Sequence, residues 1–230
     1  MKKLKICCIA DMHGMHDEIK IPKCDYLFIA GDITGNGSLI HLNRFSNWIS
    51  DLKEDKIIKE DVIVIAGNHD ECLENPAFGS LAKTYLDNCI YLENRSYVLI
   101  NGVTIFGSPY TPRFLNWFFM HDKDEMYGRV WQHVPEDTNI ILSHGPAYGI
   151  LDEVDNRYST EDRHVGCKGL RQRALELPNL KYVIHGHIHG GYGKEHTVGT
   201  ALHPGKIQFI NCSICNEDYH PVNQPIIIEV

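Results

Sequence analysis

The sequence predicts a mixed α/β fold with more than one β-sheet. Five short runs rich in isoleucine and valine recur along the chain, and they read KICCIADMH, YLFIAGD, VIVIAGNHD, NIILSHG and KYVIHGHIH. Runs of this length and composition are typical of strands that are buried on both faces of a sheet. Amphipathic segments separate the runs, and two hairpin signals interrupt the alternation. A chain of 230 residues suits one domain, which we expect to span residues 1–230.

Helices are predicted in the segments between the apolar runs. The clearest follows Ser38, and the apolar positions on its one face are Leu42, Phe45, Ile49 and Leu52. Residues 77–86 repeat the pattern, with apolar positions at Phe78, Leu81, Ala82 and Tyr85. The sequence DKDE at 122–125 resembles a capping box with Asp122 as the N-cap, and residues 167–177 predict a helix before the fifth run.

Two hairpins are predicted outside this alternation. The segment YVLINGVTIFG contains two strands around Asn101-Gly102, a dipeptide that is typical of a type I′ turn. The segment TALHPGKIQFIN predicts a second hairpin around Pro204-Gly205, on a weaker turn signal.

The charge and hydropathy of the chain exclude several classes of partner. The formal net charge is −8, so the chain has no general attraction for nucleic acid or for anionic lipid. No segment approaches the roughly 20 apolar residues that span a bilayer. The start, MKKLKICCIADMH, is interrupted by Lys5 and its apolar run is too short for a signal peptide. We therefore expect a first strand there and a cytoplasmic protein that does not bind membranes.

The eight cysteines are scattered, and only Cys212 and Cys215 form a C-x-x-C pair. A single pair of this kind is weak evidence for zinc or redox chemistry. We expect reduced and mostly buried thiols.

Each of the five runs ends at side chains that can bind a metal. These are Asp11, His13, Asp32, Asn68, His144, His187 and His189. A single Asp or His at a strand end is usually a solvated terminus, but sites in α/β proteins form beyond the carboxyl ends of strands. Seven such ligands can hold two ions if one carboxylate bridges. Oxygen and imidazole together favour manganese, iron, cobalt, nickel or zinc over calcium or magnesium, and the lack of cysteine disfavours structural zinc.

The motifs DMH, GD, GNHD, SHGP and GHIH, in this order and spacing, resemble the signature of the calcineurin-like metallophosphoesterases. The match runs from residue 7 to at least residue 193. The segments GSPYTP, VPEDTNIILSHGPAYGILD, VGC, GHIHGGYG and PVNQPIII resemble the MPPED branch, the metallophosphoesterase-domain proteins known from vertebrate brain. This resemblance implies a two-sheet β-sandwich flanked by helices and a dinuclear metal centre.

The resemblance also implies a role for each motif residue. One ion would be held by Asp11, His13, Asp32 and His189, and the other by Asp32, Asn68, His144 and His187. Asp32 would therefore bridge the two ions. His69 would stand beside the leaving group, and Asp70 would orient its ring. Some members of the branch replace the first histidine of the G-H-x-H motif by glycine, whereas this chain keeps His187.

The expected activity is that of a dinuclear-metal-dependent phosphoesterase. By resemblance it would be a phosphodiesterase acting on small phosphodiesters such as cyclic nucleotides, through in-line attack of a metal-bridging hydroxide, with manganese preferred. Asn68 and His69 would also contact the substrate. The aromatic segment at 110–119 either packs over a sheet end or forms a substrate wall. In the second case Tyr110 or Trp117 would stack on a base and Arg113 would meet a phosphate.

Three alternatives remain open at this point. The chain could be a metal-binding scaffold of the same fold with negligible catalysis, a nuclease or a phosphoprotein phosphatase. The acidic charge weighs against nucleic acid as a substrate. His185 shares a strand face with His187 and His189, but we expect it to be a buried, hydrogen-bonded histidine beside the ligands.

Overall fold

Two main β-sheets organise the computed structural model, which describes residues 3–155, 163–193, 195–198 and 206–230. The strands of the first sheet are β1 (Lys5–Ile9), β2 (Cys24–Ala30), β3 (Ile58–Ile65), β4 (Ile90–Tyr91) and β13 (Ile226–Glu229). Those of the second are β5 (Arg95–Val98), β6 (Thr104–Ser108), β9 (Ile140–Ser143), β10 (Tyr182–His185), β11 (Glu195–Val198) and β12 (Ile207–Asn211). The short strands β7 (Thr111–Pro112) and β8 (Met120–His121) pair only with each other among the described residues. The first sheet has the strand order β13-β1-β2-β3-β4, and the second has the order β11-β12-β10-β9-β6-β5.

The central strands of both sheets are parallel, and the antiparallel strands lie at the edges. Strands β1 to β4 run parallel, and β13 pairs antiparallel with β1. Strands β6, β9, β10 and β12 run parallel, and β5 and β11 are antiparallel to their neighbours. The ligand-rich ends of the five predicted runs are therefore carboxyl ends of parallel strands, which share one edge in each sheet.

Successive side chains along each central strand point alternately into two different hydrophobic cores. Ile6 and Cys8 of β1 point into a cluster between the two sheets, which also contains Leu142 of the second sheet. Cys7 and Ile9 point to the opposite face of the first sheet, against a helix. Both faces are thus buried, which explains why the strands read as continuous apolar runs.

Helices cover the outer face of each sheet. They are α1 (Leu39–Glu54), α2 (Glu71–Glu74), α3 (Gly79–Thr84), α4 (Met126–Arg129) and α5 (Lys168–Glu176). Phe45 of α1 packs on the first sheet, and Leu170 of α5 packs on the second. The predicted fold class, a two-sheet sandwich flanked by helices, is confirmed.

Two helix predictions need correction. The helix expected over 77–86 spans only Gly79–Thr84, and Phe78 and Leu81 are 42% and 53% exposed. Phe78 precedes the helix with φ −132°, so it does not share the helical face. The expected capping box at 122–125 is absent, because Asp122 pairs with Arg113 and Glu125 pairs with Arg129.

The first predicted hairpin is present, but its turn differs from the prediction. Strands β5 and β6 pair antiparallel, and the N–H of Gly102 donates to the Leu99 carbonyl at 2.9 Å. Gly102 has φ +84°, whereas Asn101 is not among the residues with positive φ. A type I′ turn requires positive φ at both positions, so the turn is a three-residue loop instead. The second predicted turn, Pro204-Gly205, lies outside the described residues, between the antiparallel strands β11 and β12.

All eight cysteines are free thiols, and all but the half-buried Cys89 are buried. Among the described residues, the longest and most apolar helices fall short of what crossing a membrane requires.

Candidate metal centre

The five predicted strand ends meet where the two sheets adjoin. The backbone N–H of His187, beyond β10 of the second sheet, donates to both carboxylate oxygens of Asp11, beyond β1 of the first, at 3.1 and 2.9 Å. His144, beyond β9, places Nε2 2.8 Å from Oδ1 of Asn68, beyond β3. Two contacts therefore join the sheets, and each is made by residues that the sequence predicts as metal ligands.

The first half of the cluster contains Asp11, His13 and His189. One ligand atom from each lies within 4.8 Å of the others. The Nε2 atoms of His13 and His189 are 3.3 Å apart, and Nε2 of His189 is 4.0 Å from Oδ1 of Asp11.

The second half of the cluster surrounds His144. Its Nε2 atom is 2.8 Å from Oδ1 of Asn68 and 3.4 Å from Oδ1 of Asp32. The ring of His187 lies 4.9 Å from the ring of His144, centroid to centroid. All four of these residues are buried or half-buried.

Asp32 lies between the two halves. Its Oδ1 atom faces His144, whereas its Oδ2 atom is 3.9 Å from Nε2 of His13. Burial alone would raise the pKa of Asp32, but the charge of His144 and its hydrogen bond outweigh burial and hold that pKa below the usual range. Asp32 is therefore an ionised carboxylate with one oxygen available on each side.

The backbone of the strand ends is left-handed at four of the predicted ligands. The φ angles of Asp11, His13, Asp32 and His187 lie between 47° and 67°. Such conformations cost roughly 1–3 kcal/mol each in a residue with a side chain, and they persist only where the surroundings enforce them. Their concentration in one cluster indicates a functional site.

Two glycines leave room for the carboxylates. A Cβ atom on Gly67 would lie 2.2 Å from Oδ1 of Asp32, and one on Gly186 would lie 2.3 Å from Oδ2 of Asp11. No side chain fits at either position without moving a carboxylate. Each motif glycine is therefore part of the geometry of the cluster.

Backbone carbonyls fix the orientation of the histidines. The Nδ1 atoms of His144, His189 and His69 each lie 2.8 Å from a carbonyl oxygen, of Ala30, Asn216 and Gly35 respectively. Each Nδ1 therefore carries a proton and donates it, so Nε2 is the ring nitrogen that is turned away from the backbone. In His144 and His189 that nitrogen faces other acceptor atoms.

Hydrogen-bond acceptor atoms that face one another form a site for a cation. The carboxylate, amide and imidazole atoms present here suit a divalent metal ion. Burial lowers the pKa of His144, but Asp32 outweighs burial and raises the pKa to about 9. The negative field that favours a proton at this Nε2 favours a metal cation there as well. Burial lowers the pKa of His13 to about 4 and that of His187 to about 3, so both rings are neutral, as ligation requires.

Among the described residues, Asp70 makes no hydrogen bond to the His69 ring, contrary to the expectation that it would orient that ring. Its carboxylate accepts backbone N–H groups of Ile33, Thr34 and Gly67 at 3.1, 2.8 and 2.9 Å. The Gly35 carbonyl orients the His69 ring instead. Asp70 thus holds together the loops after β2 and β3, and it supports His69 only through the backbone.

His185 lies outside the cluster but directly behind it. Its side chain is fully buried, as expected, and Nδ1 is 3.2 Å from the Gly186 carbonyl. Its Nε2 atom has no hydrogen-bond partner among the described residues, so the expectation of a satisfied histidine holds for only one ring nitrogen.

A cavity of about 580 Å³ opens onto the cluster. Asp32, Asn68, His69, His187 and His189 form its polar end. Of the residues in 110–119 predicted to contact substrate, Trp117 and Arg113 line the cavity, and Arg113 is paired with Asp122 at 2.5 Å. Tyr110 does not line it, because its ring stacks on His121 at 4.4 Å and its hydroxyl faces Glu93.

Two residues beside the cluster are absent from the sequence prediction. The Ser213 hydroxyl donates to Oδ2 of Asp11, and the Tyr219 ring lies 4.8 Å from His13 and 5.1 Å from His189. Ser213 follows the apolar run IQFIN of β12, the same strand-end format as the predicted ligands, so the pattern could have revealed it. Tyr219 lies in a loop without any such pattern.

Comparison with known proteins agrees with this geometry. Residues 4–191 match the family described as calcineurin-like phosphoesterase. The chain is 31% identical to Metallophosphoesterase domain-containing protein 1 of Homo sapiens and of Mus musculus, over 98% of the chain and 71% of either relative. It is 29% identical to UPF0046 protein T07D4.2 of Caenorhabditis elegans, over 99% of the chain and 60% of that protein.

Solved structures share the fold. One crystal structure superimposes with a TM-score of 0.63 at 15% identity, covering 100% of this chain and 99% of its own. The crystal structure of TT1561 of Thermus thermophilus gives a TM-score of 0.57 at 10% identity, covering 91% and 89%.

Proposed function

We propose that this chain, which belongs to the calcineurin-like phosphoesterase family and is therefore a metal-dependent phosphoesterase, is a phosphodiesterase that acts on small phosphodiesters. The proposal includes a centre of two divalent ions. Asp11, His13, Asp32 and His189 would hold one ion, and Asp32, Asn68, His144 and His187 would hold the other. Manganese is the preferred ion, and cyclic nucleotides are candidate substrates.

The position of Asp32 is the observation that supports a two-ion centre best. Its two oxygens face different histidines, His13 on one side and His144 on the other. A carboxylate that served one ion would not need an oxygen directed towards each half of the cluster. The neutral Asn68 beside it adds a ligand without further negative charge, which preserves the Lewis acidity of the site.

Two bound ions would lower the pKa of a water molecule and neutralise charge on the phosphoryl oxygens. A side chain of the protein, that of His69, would donate a proton to the leaving oxygen. His69 donates through Nδ1 to Gly35, so its Nε2 atom is the one available to hold a proton for that oxygen. His69 also donates its backbone N–H to Oδ1 of Asp32 at 2.9 Å, which holds the residue beside the carboxylate that would bridge the ions.

The charge of the chain and the form of the cavity favour a small diester. With a net charge of −8, the chain does not attract a polyanion such as DNA. The cavity of about 580 Å³ has the size of a small-molecule site. A diester carries a single negative charge, which the ions can neutralise without a cluster of arginines.

Hydrolysis of bis-p-nitrophenyl phosphate tests the proposed activity. Purified protein should release p-nitrophenol with Mn²⁺, should stop releasing it in EDTA, and should recover when Mn²⁺ is restored. Asp32→Ala should abolish turnover, because both halves of the centre lose a ligand. The matched control is Asp124→Ala, which removes an exposed carboxylate outside the ligand set and should leave turnover unchanged.

A substrate panel then distinguishes the alternatives. Cyclic 2′,3′- and 3′,5′-nucleotides, p-nitrophenyl phosphate, a phosphopeptide and single-stranded DNA would be compared by kcat/KM. We expect the cyclic diesters to be the best of these. Preference for DNA or for the phosphopeptide would make the protein a nuclease or a phosphatase. Failure with Mn²⁺, Fe²⁺, Co²⁺, Ni²⁺ and Zn²⁺ alike would make it a metal-binding scaffold.

A further inference from the structure

An uncharged surface forms the wall of the cavity beside His69. We call it the apolar shelf and define it as Pro112, Phe114, Leu115 and Trp117. These residues line the same cavity as Asp32, His69 and His187, so the shelf and the metal cluster share one space.

The exposure of the shelf is unusual for such large apolar side chains. Phe114, Leu115 and Trp117 are 47%, 67% and 39% exposed, within four consecutive residues of sequence. Contiguous apolar exposure of this kind marks a binding surface more often than a scattered leucine does. The shelf lies beside the polar cluster in the same cavity. A phosphoester bound at the cluster would therefore place the group attached to its phosphorus against the shelf.

The shelf is held in place at both ends. Strands β7 (Thr111–Pro112) and β8 (Met120–His121) pair with each other, and the Arg113 N–H donates to the His121 carbonyl at 2.8 Å. The Phe119 N–H donates to Oε2 of Glu74 at 2.9 Å. A surface that is fixed before binding loses little conformational entropy when a ligand arrives.

One residue connects the shelf to the reacting atoms. The Trp117 ring lies 4.3 Å from the His69 ring, centroid to centroid, at an interplanar angle of 38°. The shelf therefore begins next to the imidazole that would face the leaving oxygen. A group bonded to that oxygen would continue onto Phe114 and Leu115.

The charges around the shelf do not select a second anionic group. The Arg113 guanidinium is paired with Asp122, and Lys123 and Glu217 bring opposite charges to the cavity lining. A substituent bound here would gain from burying apolar area rather than from ion pairing.

We propose that the apolar shelf binds the ester substituent on the His69 side, and that it selects substrates in which this group is aromatic or otherwise apolar and uncharged. The inference rests on the proposed function, since it concerns the substrate of the same site. It deepens that proposal by naming a substrate class and by assigning the preference to Phe114 and Leu115.

A pair of anions without ester bonds tests the shelf independently of turnover. Diphenylphosphinate and dimethylphosphinate carry the same charge on a tetrahedral phosphorus, and they differ in apolar area. We expect calorimetric titration of the Mn²⁺-loaded protein to give at least about tenfold tighter binding of diphenylphosphinate. The double variant Phe114→Ser/Leu115→Ser should lose most of this ratio while its affinity for dimethylphosphinate stays unchanged. Ile100→Ser, which removes an equally exposed apolar side chain at the β5–β6 turn, should keep the full ratio.

The outcomes separate the two proposals. The proposed role of the shelf would be refuted by equal affinities for the two phosphinates or by no binding of either. It would also be refuted if the double variant kept the affinity ratio. If the protein preferred diphenylphosphinate through Phe114 and Leu115 but hydrolysed no diester, the proposed role of the shelf would be supported. The proposed phosphodiesterase activity would then be refuted.

Discussion

The Nε2 atoms of His13 and His189 lie 3.3 Å apart. The Nδ1 atom of His189 donates to the Asn216 carbonyl, so Nε2 is the ring nitrogen that faces His13. Burial lowers the pKa of His13 to about 4, which keeps that ring neutral near pH 7. These two ring nitrogens and a carboxylate oxygen of Asp11 lie within 4.8 Å of one another, so together they could hold a metal ion.

Replacing His189 with alanine should therefore remove one of two ions. The remaining proposed ligands of that ion, Asp11, His13 and the shared Asp32, would leave it open to solvent on one side. The loss of an outer hydrogen-bond partner already weakens metal affinity about 10–100-fold, and the loss of a direct ligand should weaken it further. Metal analysis after dialysis should show about one Mn²⁺ per chain in place of about two. His220→Ala, an exposed histidine in the adjoining loop, should keep both ions, and equal metal content in the two variants would contradict the assignment.

Asp70 should behave as a structural residue rather than as a partner of the His69 ring. Its buried carboxylate accepts three backbone N–H groups, and hydrogen bonds to a charged group contribute roughly 1.5–3 kcal/mol each. Asp70→Ala should lower the free energy of unfolding by about 3 kcal/mol or more, and Asp70→Asn by less because one acceptor oxygen remains. Urea denaturation in EDTA measures this without a metal contribution. Asp124→Asn serves as the exposed control, and a stable but inactive Asp70→Ala variant would restore the role predicted from the sequence.

His69→Ala should slow turnover and leave the ions in place. Loss of a general acid typically costs about 10²-fold or more in rate, and none of the metal ligands is removed. The relevant measurements are kcat for bis-p-nitrophenyl phosphate and the Mn²⁺ content of the same sample. His133→Ala removes an exposed histidine as a control. Unchanged kcat would exclude His69 from proton transfer, and loss of an ion would make it a ligand, since it lies within ligand distance of His13 and Asp32.

Strand ends were the most predictable feature of this chain. Each predicted ligand follows a parallel strand, and parallel strands place their carboxyl ends on a common edge, so convergence follows from topology alone. Side-chain partners were less predictable. The Asp70 carboxylate is adjacent to His69 in sequence, but the turn after β3 directs it towards the loop after β2.

The contacts of the 110–119 segment depend on tertiary structure in the same way. Tyr110 and Trp117 are aromatic residues of one loop, and the sequence does not distinguish between them as substrate contacts. Of these two, only Trp117 lines the cavity. The pairing of β7 with β8 folds the loop so that Tyr110 stacks on His121. Sequence patterns do not encode which side of such a loop faces the site.

The thiols should be unreactive in the folded protein. Burial raises the pKa of Cys72, Cys89 and Cys215 to about 12, so very little thiolate forms at mildly alkaline pH. Titration with Ellman's reagent should detect no more than the half-buried Cys89 within minutes, and all eight thiols in guanidinium chloride. Cys89→Ser should remove any native reaction. Rapid reaction of several thiols would mean that the segments carrying them open easily.

Gly186→Ala should disrupt the centre although it changes no ligand. A Cβ atom there would lie 2.3 Å from Oδ2 of Asp11 and 2.4 Å from Cβ of Ala10, so either the carboxylate or the β1 end must move. We expect a loss of about 1–3 kcal/mol of folding free energy in EDTA, as in other overpacked sites, together with weaker Mn²⁺ binding. Gly128→Ala is the matched control, because the nearest atom to its Cβ is 4.0 Å away on Gln132 and the position lies in α4. There the added methyl should be neutral or stabilising by up to about 1 kcal/mol, and Mn²⁺ binding should be unchanged. If Gly186→Ala bound both ions as the unmodified chain does, Asp11 would not occupy the position on which the proposed ligand set depends.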